Sequence, residues 1–324
     1  MNLVTLADIT TASDILQPNI VKTPTLPLTS DRWRTYAPDI RGGVIKMELF
    51  QQAGSFKARG AYLGLQALTQ EARRKGVVTA SAGNHALAVS WAARKMGVSA
   101  RIAMPEATDP VRVEGCREMG AEVVLCEDIK RAFEVMEQSM AEGGLSKIHP
   151  YDGQHMTLGA ATCGKEFIEA HPDLEVIIVP VGGGGLIGGV AAAAKLAKPD
   201  IQVIGVEPVG ADAMYQSLKL GHPMRLDSAK SIADSLAAPI TLPYSFDVVK
   251  TYVDDIVHIE EDALRSAMSI YHDVLGLTVE PACASGLAGL LGPLRNVTAG
   301  KNVGLIACGS NIGLIRYQEI LSSK

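Results

Sequence analysis

Short apolar runs alternate along the chain with stretches whose apolar positions recur every three or four residues. The first kind reads as buried strand and the second as amphipathic helix. Strands are predicted at 44–49 (VIKMEL), 76–80 (GVVTA), 100–105 (ARIAMP), 121–126 (AEVVLC), 175–181 (EVIIVPV), 202–207 (QVIGVE) and 302–308 (NVGLIAC). Helices fill the intervals. In 84–96, Leu87, Trp91 and Met96 fall on one side, and Gly97 supplies the stop. This alternation predicts an α/β fold, mainly parallel sheet flanked by helices. Residues 76–149 form a self-contained β-α-β-α-β-α-β set. A small lobe at 76–152 is therefore expected, inserted in a large lobe made of 1–75 and 153–324.

Composition narrows the class. Hydrophobic residues are 47% and charged residues 20% of the 324, enough to bury a large core across domains of roughly 150 residues each. Lys and Arg total 30 against 35 Asp and Glu, and no basic stretch could track a phosphate backbone, so nucleic acid is not an expected partner. The five cysteines, at 116, 126, 163, 283 and 308, contain no Cys-x-x-Cys pair and make a poor disulfide framework, which points to a reducing cytoplasm. The N-terminus lacks the basic and apolar regions of a secretory signal. Val176 to Ala194 runs 19 residues without a charge, but six glycines and Pro180 mark it as strand, glycine loop and helix start, not a membrane span.

Three loops at strand ends carry the candidate chemistry. After the 175–181 strand comes Gly182-Gly183-Gly184-Gly185-Leu186, opening a helix. Consecutive glycines let backbone N–H groups converge on an anion, and the helix dipole adds to the attraction, so this is a phosphate cradle. The same stretch satisfies G-x-G-x-x-G with Gly183, Gly185 and Gly188, and Glu207 follows 19 residues later at a strand end. A dinucleotide ribose is held at such a position, which leaves a nicotinamide-dependent oxidoreductase open. The second loop, Ser81-Ala82-Gly83-Asn84-His85, has N–H groups, a hydroxyl and an amide suited to a carboxylate, although a plain N-cap would look the same. In the third, Ser55-Phe56-Lys57-Ala58-Arg59-Gly60, Lys57 stands at a helix start, where the dipole disfavours a cation. That lowers its pKa toward the neutral amine, the form that condenses with an aldehyde or takes a proton. An ordinary exposed lysine is the competing possibility.

Taken in this order, the segments resemble the pyridoxal-phosphate enzymes of the tryptophan-synthase β fold (fold type II), in the serine/threonine dehydratase and serine racemase branch. The resemblance runs from Thr23-Pro24 through Ser55 to Gly60, Ser81 to His85, Gly182 to Gly185, Val206-Glu207-Pro208 and Glu280-Pro281 to Cys308-Gly309-Ser310-Asn311. It implies two open, twisted, mainly parallel sheets, pyridoxal 5'-phosphate in the cleft between the lobes, and a homodimer. It implies that Lys57 binds the cofactor covalently and takes the substrate α-proton, that Phe56 packs on its ring, and that Asn84 bonds the ring hydroxyl. Gly182, Gly183, Gly184, Gly185 and Leu186 would hold the phosphate. Ser81, Ala82, Gly83, Asn84 and His85 would grip the substrate carboxylate. Cys308 would face the pyridine nitrogen; a neutral thiol cannot keep that nitrogen protonated, which weakens the ring as an electron sink and favours loss of a β-hydroxyl.

The implied reaction is deamination of L-threonine to 2-oxobutyrate or of L-serine to pyruvate, with ammonia. Serine racemisation, dehydration of 3-hydroxyaspartate or phenylserine, and cofactor sensing without catalysis are the alternatives. Gly159-Ala160-Ala161-Thr162 departs from the family's Gly-Gln-Gly-Thr, Ala282-Cys283 follow Glu280-Pro281, and Ser235 stands where glycine is frequent. Ala82 occupies the place of the racemase serine that reprotonates the α-carbon. Of the racemase-type divalent-metal set, Glu207 and Ala211 match, but Ala213 replaces the acid, so no metal is expected.

Overall fold

In the computed structural model, which describes residues 3–323, ten strands make two sheets. They are β1 (Thr25–Pro27), β2 (Gly42–Lys46), β3 (Val77–Ala80), β4 (Ala100–Pro105), β5 (Glu122–Cys126), β6 (Ser146–Lys147), β7 (Val176–Pro180), β8 (Gln202–Pro208), β9 (Asp255–Ile259) and β10 (Asn302–Ile306). The first sheet has the order β1-β2-β10-β7-β8-β9 and the second β5-β4-β3-β6. Only β1 runs antiparallel to its neighbour; every other pairing is parallel. All residues of β3 and β7 are buried, which is why these segments read as unbroken apolar runs: a parallel strand covered on both faces has no solvent side.

The helix Gln154–Ala170 packs on Gly185–Ala197, and the approach is close enough that a Cβ at Gly189 would land on the Thr157 carbonyl oxygen. Lys57–Gln66 packs on both Gln154–Ala170 and Asn84–Met96. One apolar cluster surrounds the six-stranded sheet, with Ile45, Ile177, Val203 and Leu305 at its centre. A second joins Val77 and Ile102 of the smaller sheet to Leu16, Leu65 and Ala193, so the elements holding the three candidate loops share a core.

The strand expected at 44–49 ends earlier, at Lys46, and Glu48–Phe50 forms a 3-10 turn. The chain leaves the sheet there because the Glu48 carboxylate turns inward to Arg59, while the Leu49 N–H bonds the Ala307 carbonyl at 2.8 Å. Strands β1 and β9 lie outside the sequence expectation, while β6 supplies the fourth strand of the 76–149 set. β1 is three residues bounded by prolines, β6 is two residues, and β9 is an edge strand carrying Asp255 and His258. In Asn84–Met96, Leu87 is buried, Trp91 and Met96 pack half-buried on the same cluster, and Gly97 closes the helix at φ 65°. The uncharged stretch 176–194 is β7, a loop and part of a helix, and no helix among the described residues is long and apolar enough to cross a membrane. All five cysteines are free and buried.

Candidate active site

In parallel sheets the loops at the carboxyl ends of the strands gather on one side. Here those after β2, β3, β7 and β10 meet in one cleft. Phe56, Lys57, Asn84, the loop Gly182 to Leu186 and Cys308 all line it, together with Tyr151, Ser235 and Glu280. Gly83 stands at its edge, where an added Cβ would lie 3.3 Å from the Ser235 hydroxyl. A larger hollow of about 780 Å³, lined by Val111, Arg112, Asp234 and Leu314, contains none of the sequence-predicted site residues.

Lys57 begins its helix, and the preceding Phe56 N–H donates to the Cys308 carbonyl at 3.1 Å, which seats the lysine turn on the end of β10. The lysine Nζ donates to the Pro150 carbonyl at 2.5 Å and sits 4.9 Å from the Phe56 ring centre. Burial lowers its pKa to about 8, against the opposing charge of Glu280. This is the expected direction, but burial is the leading cause where the sequence suggested the helix dipole. Two residues on, fully buried Arg59 donates twice to Glu48, at 2.8 Å each, and to Glu166 and Thr162 at 2.8 and 3.0 Å. Lys46 also reaches Glu166, at 2.6 Å. These bonds fix the lysine helix to β2 and to Gln154–Ala170.

In the glycine loop, Gly184 has φ 90°, a conformation L side chains rarely adopt. A Cβ at Gly183 would strike the Tyr151 ring, and one at Gly185 would lie 2.6 Å from the Tyr151 carbonyl oxygen. Among the described residues none accepts a hydrogen bond from the amides of Gly182 to Leu186, and Gly184 brings no side-chain cap to the helix Gly185–Ala197. A helix start with open donors is an anion site.

The second loop is not a plain N-cap. Gly83 caps Asn84–Met96 without a side chain, and the Ser81 hydroxyl oxygen accepts from the Gly83 N–H at 3.2 Å. The amides of Asn84 and His85 have no acceptor among the described residues, leaving them free for a carboxylate. The His85 side chain departs from the expectation. It is buried, pairs through Nε2 with the Ile148 carbonyl at 2.9 Å, and is held neutral, its pKa pushed down to about 3 by burial and then by Lys57. Only its backbone can serve a substrate. Asn84 donates to Glu280 and accepts from Asn311 Nδ2 at 2.6 Å. Cys308 is buried, and the neighbouring Cys283 thiol together with burial raises its pKa well above the ordinary range, so it stays a neutral thiol.

Glu207 accepts from the backbone amides of Met214 and Tyr215 at 3.2 and 2.9 Å, and burial raises its pKa to about 8. That carboxyl group is spent on the start of the helix Ala213–Leu220. It is not free to bind a ribose.

The family model of pyridoxal-phosphate dependent enzymes matches residues 16–309. The chain belongs to the pyridoxal-phosphate-dependent enzymes. It is 47% identical to phenylserine dehydratase of Ralstonia pickettii, over 82% of each chain, and 36% identical to L-threonine ammonia-lyase of Thermotoga maritima, over 99% of this chain and 79% of that one. The solved structure of maize serine racemase superposes with a TM-score of 0.91 at 33% identity, covering 98% of this chain and 96% of the other. The nicotinamide alternative falls with this membership and with the engagement of Glu207.

The cleft of this pyridoxal-phosphate-dependent enzyme fits its cofactor. Open amides in the glycine loop suit a phosphate, a lysine with a lowered pKa suits a covalent anchor, and a neutral thiol can meet an unprotonated pyridine nitrogen. Tyr151 and Glu280 are the wall residues that the sequence left without a role. Glu280 stands in the Glu280-Pro281 motif, but only its burial beside Asn84 reveals its place. Tyr151 carries no sequence signal beyond being aromatic.

Proposed function

We propose that this enzyme deaminates a β-hydroxy amino acid by eliminating its hydroxyl, with L-threonine and L-serine as substrates. The observation that carries the reading is a half-buried lysine with a lowered pKa in one cleft with an anion loop, a carboxylate-binding helix start and a neutral thiol. Bound pyridoxal phosphate supplies an electron sink for charge developing at the substrate α-carbon. The open amides of Asn84 and His85 hold the substrate carboxylate, Lys57 Nζ takes the α-proton, and Cys308 keeps its own proton. A second reading, phenylserine, is favoured by the Tyr151 ring on the cleft wall and by the phenylserine dehydratase relative. Ammonia release from threonine, serine, 3-hydroxyaspartate and phenylserine tests both; no release from any would overturn the proposal. The free thiols support a cytoplasmic location. Exposed Leu314 and Ile315 support a homodimer, to be checked by light scattering.

Cys308→Ser is expected to keep most elimination activity, because a hydroxyl is again neutral. Cys308→Asp would bring a carboxylate that stabilises the protonated form of the ring nitrogen, which should slow elimination and add a long-wavelength absorption band. An aspartate variant with unchanged rate and spectrum would remove Cys308 from the ring.

Ala82 has no proton to return to the α-carbon, and the neighbouring Ser81 side chain is drawn toward its own loop, its hydroxyl oxygen accepting from the Gly83 N–H. The enzyme should therefore form little D-serine from L-serine, and Ala82→Ser should gain measurable racemisation. Chiral chromatography decides: wild-type D-serine at a rate comparable to pyruvate would show another acid in the site.

A further inference from the structure

Arg112 lies in the first turn of the helix Pro110–Glu118 and is 3% exposed. A guanidinium carries five N–H donors. Here each has an acceptor. Nε donates to the Asn311 carbonyl at 2.8 Å, and Nη1 to the Ala82 carbonyl at 3.2 Å and Asp234 Oδ2 at 2.5 Å. Nη2 donates to Asp234 Oδ1 at 3.3 Å and Glu280 Oε2 at 3.2 Å. The acceptors come from four separate parts of the chain. They are the loop of open amides after β3, the 3-10 turn Asp234–Leu236, the residue before the helix Pro281–Leu291, and the loop beyond β10.

Glu280 is fully buried, and its Oε1 takes the Asn84 amide N–H while Asn311 donates to the Asn84 oxygen. The amide is thus pinned at both ends, and an ionised Glu280 fixes which end is the donor, because a carboxylate only accepts. Arg112, Asp234 and Ser235 face Glu280 from the rim, and Lys57 and Cys308 from the cofactor side. Burial raises its pKa to about 7, with Arg112 the leading opposing influence.

We propose that Arg112 is a positioning residue that ties the carboxylate-gripping loop to the Glu280–Asn84 pair, so that one side chain sets both the substrate grip and the direction in which Asn84 points. The inference rests on the proposed roles of Asn84 and the 81–85 loop. Arg112 itself touches neither substrate nor cofactor. Lysine, with three donors on one atom, cannot span four segments.

The test uses holoenzyme with Arg112→Lys, Arg112→Met and, as a control, Asp109→Asn. Asp109 also bonds across to the Gly313 N–H, at 2.9 Å, without touching Glu280. The visible cofactor band is titrated with pH in the absence of substrate, and kcat and KM are measured separately. Loss of the positive charge in Arg112→Met leaves Glu280 buried without its main opposing charge, so the pKa seen by the band should rise by about 1–3 units, and Arg112→Lys, which keeps a charge but loses the bonds that hold it against Glu280, should raise it by a smaller, measurable amount. KM should rise about tenfold or more, with a smaller fall in kcat, and Asp109→Asn should follow the wild type. In a Glu280→Gln background, the shift caused by Arg112→Lys should vanish. Should Arg112→Met fail to fold, the lysine variant still decides. A wild-type titration and KM in Arg112→Lys, with or without lost thermal stability, overturns the proposal, as does a shift that persists without Glu280. A wild-type protein showing no lysine-bound cofactor band fails the site assignment itself, which is a distinct result.

Discussion

Lys57→Ala is expected to abolish the visible band of the covalently held cofactor and to stop ammonia release. The amine is asked to do two things, anchor the cofactor and take the α-proton. Loss of a positioned base alone costs about 10²–10⁴-fold, and loss of the anchor adds to it. No nearby group is suited to replace it: His85 is turned away, and burial makes both it and His149 weak bases, their pKa values lowered to about 3 and about 4. The measurement is the absorption spectrum of the purified variant beside its single-turnover ammonia yield. Ammonia at more than a few per cent of the wild-type rate would transfer the base function to another residue.

Arg59→Met should be the most destabilising single change in the cleft's support. Glu48 is fully buried and is bonded by Arg59 at 2.8 Å twice and by the Thr23 hydroxyl at 2.5 Å. Burial raises its pKa, and Arg59, by charge and hydrogen bond, overcomes that and brings it below the ordinary value. In the wild type this carboxylate therefore contributes stability that is present above its unfolded pKa and lost as pH falls through the lower folded pKa. Removing one partner of a buried pair costs about 3–5 kcal/mol because the other charge stays behind. The sign then reverses. With burial opposed by less positive charge, the folded pKa of Glu48 rises above the unfolded one, and the deficit shrinks as pH falls from neutral toward about 5. Urea unfolding at both pH values checks this. Arg59→Met with Glu48→Leu should recover much of the loss, since a well-packed apolar pair replaces a buried ion pair at little cost. A deficit independent of pH would mean that lost packing dominates, not the stranded charge.

Much of this was legible in the chain. Strands buried on both faces must be apolar throughout, so β3, β4, β7, β8 and β10 announced themselves and their βα order required a parallel sheet. Four glycines before a helix and a lysine at a helix start are local devices, readable because their chemistry depends on backbone conformation and immediate neighbours. Short or edge strands such as β1 and β9 escaped, because pairing to a neighbour, not composition, makes them strands.

Burial and long-range pairing were beyond reach of any local pattern. The sequence placed His85 in the carboxylate loop, but its helical phase turned the ring into the core, where the Ile148 carbonyl claims it. Glu207 sits at the spacing of a ribose acid, yet the fold brings the start of the next helix onto it. Arg112 looks like one more helix-surface cation, and only the docking of its helix against Ala82, Asp234, Glu280 and Asn311 uses up its five donors. Residue type and spacing determined which groups the loops offer. Which of them reach the cleft, and with what charge, was decided by tertiary packing, because desolvation and hydrogen-bond partners come from distant segments, as far as 227 residues away for Asn84.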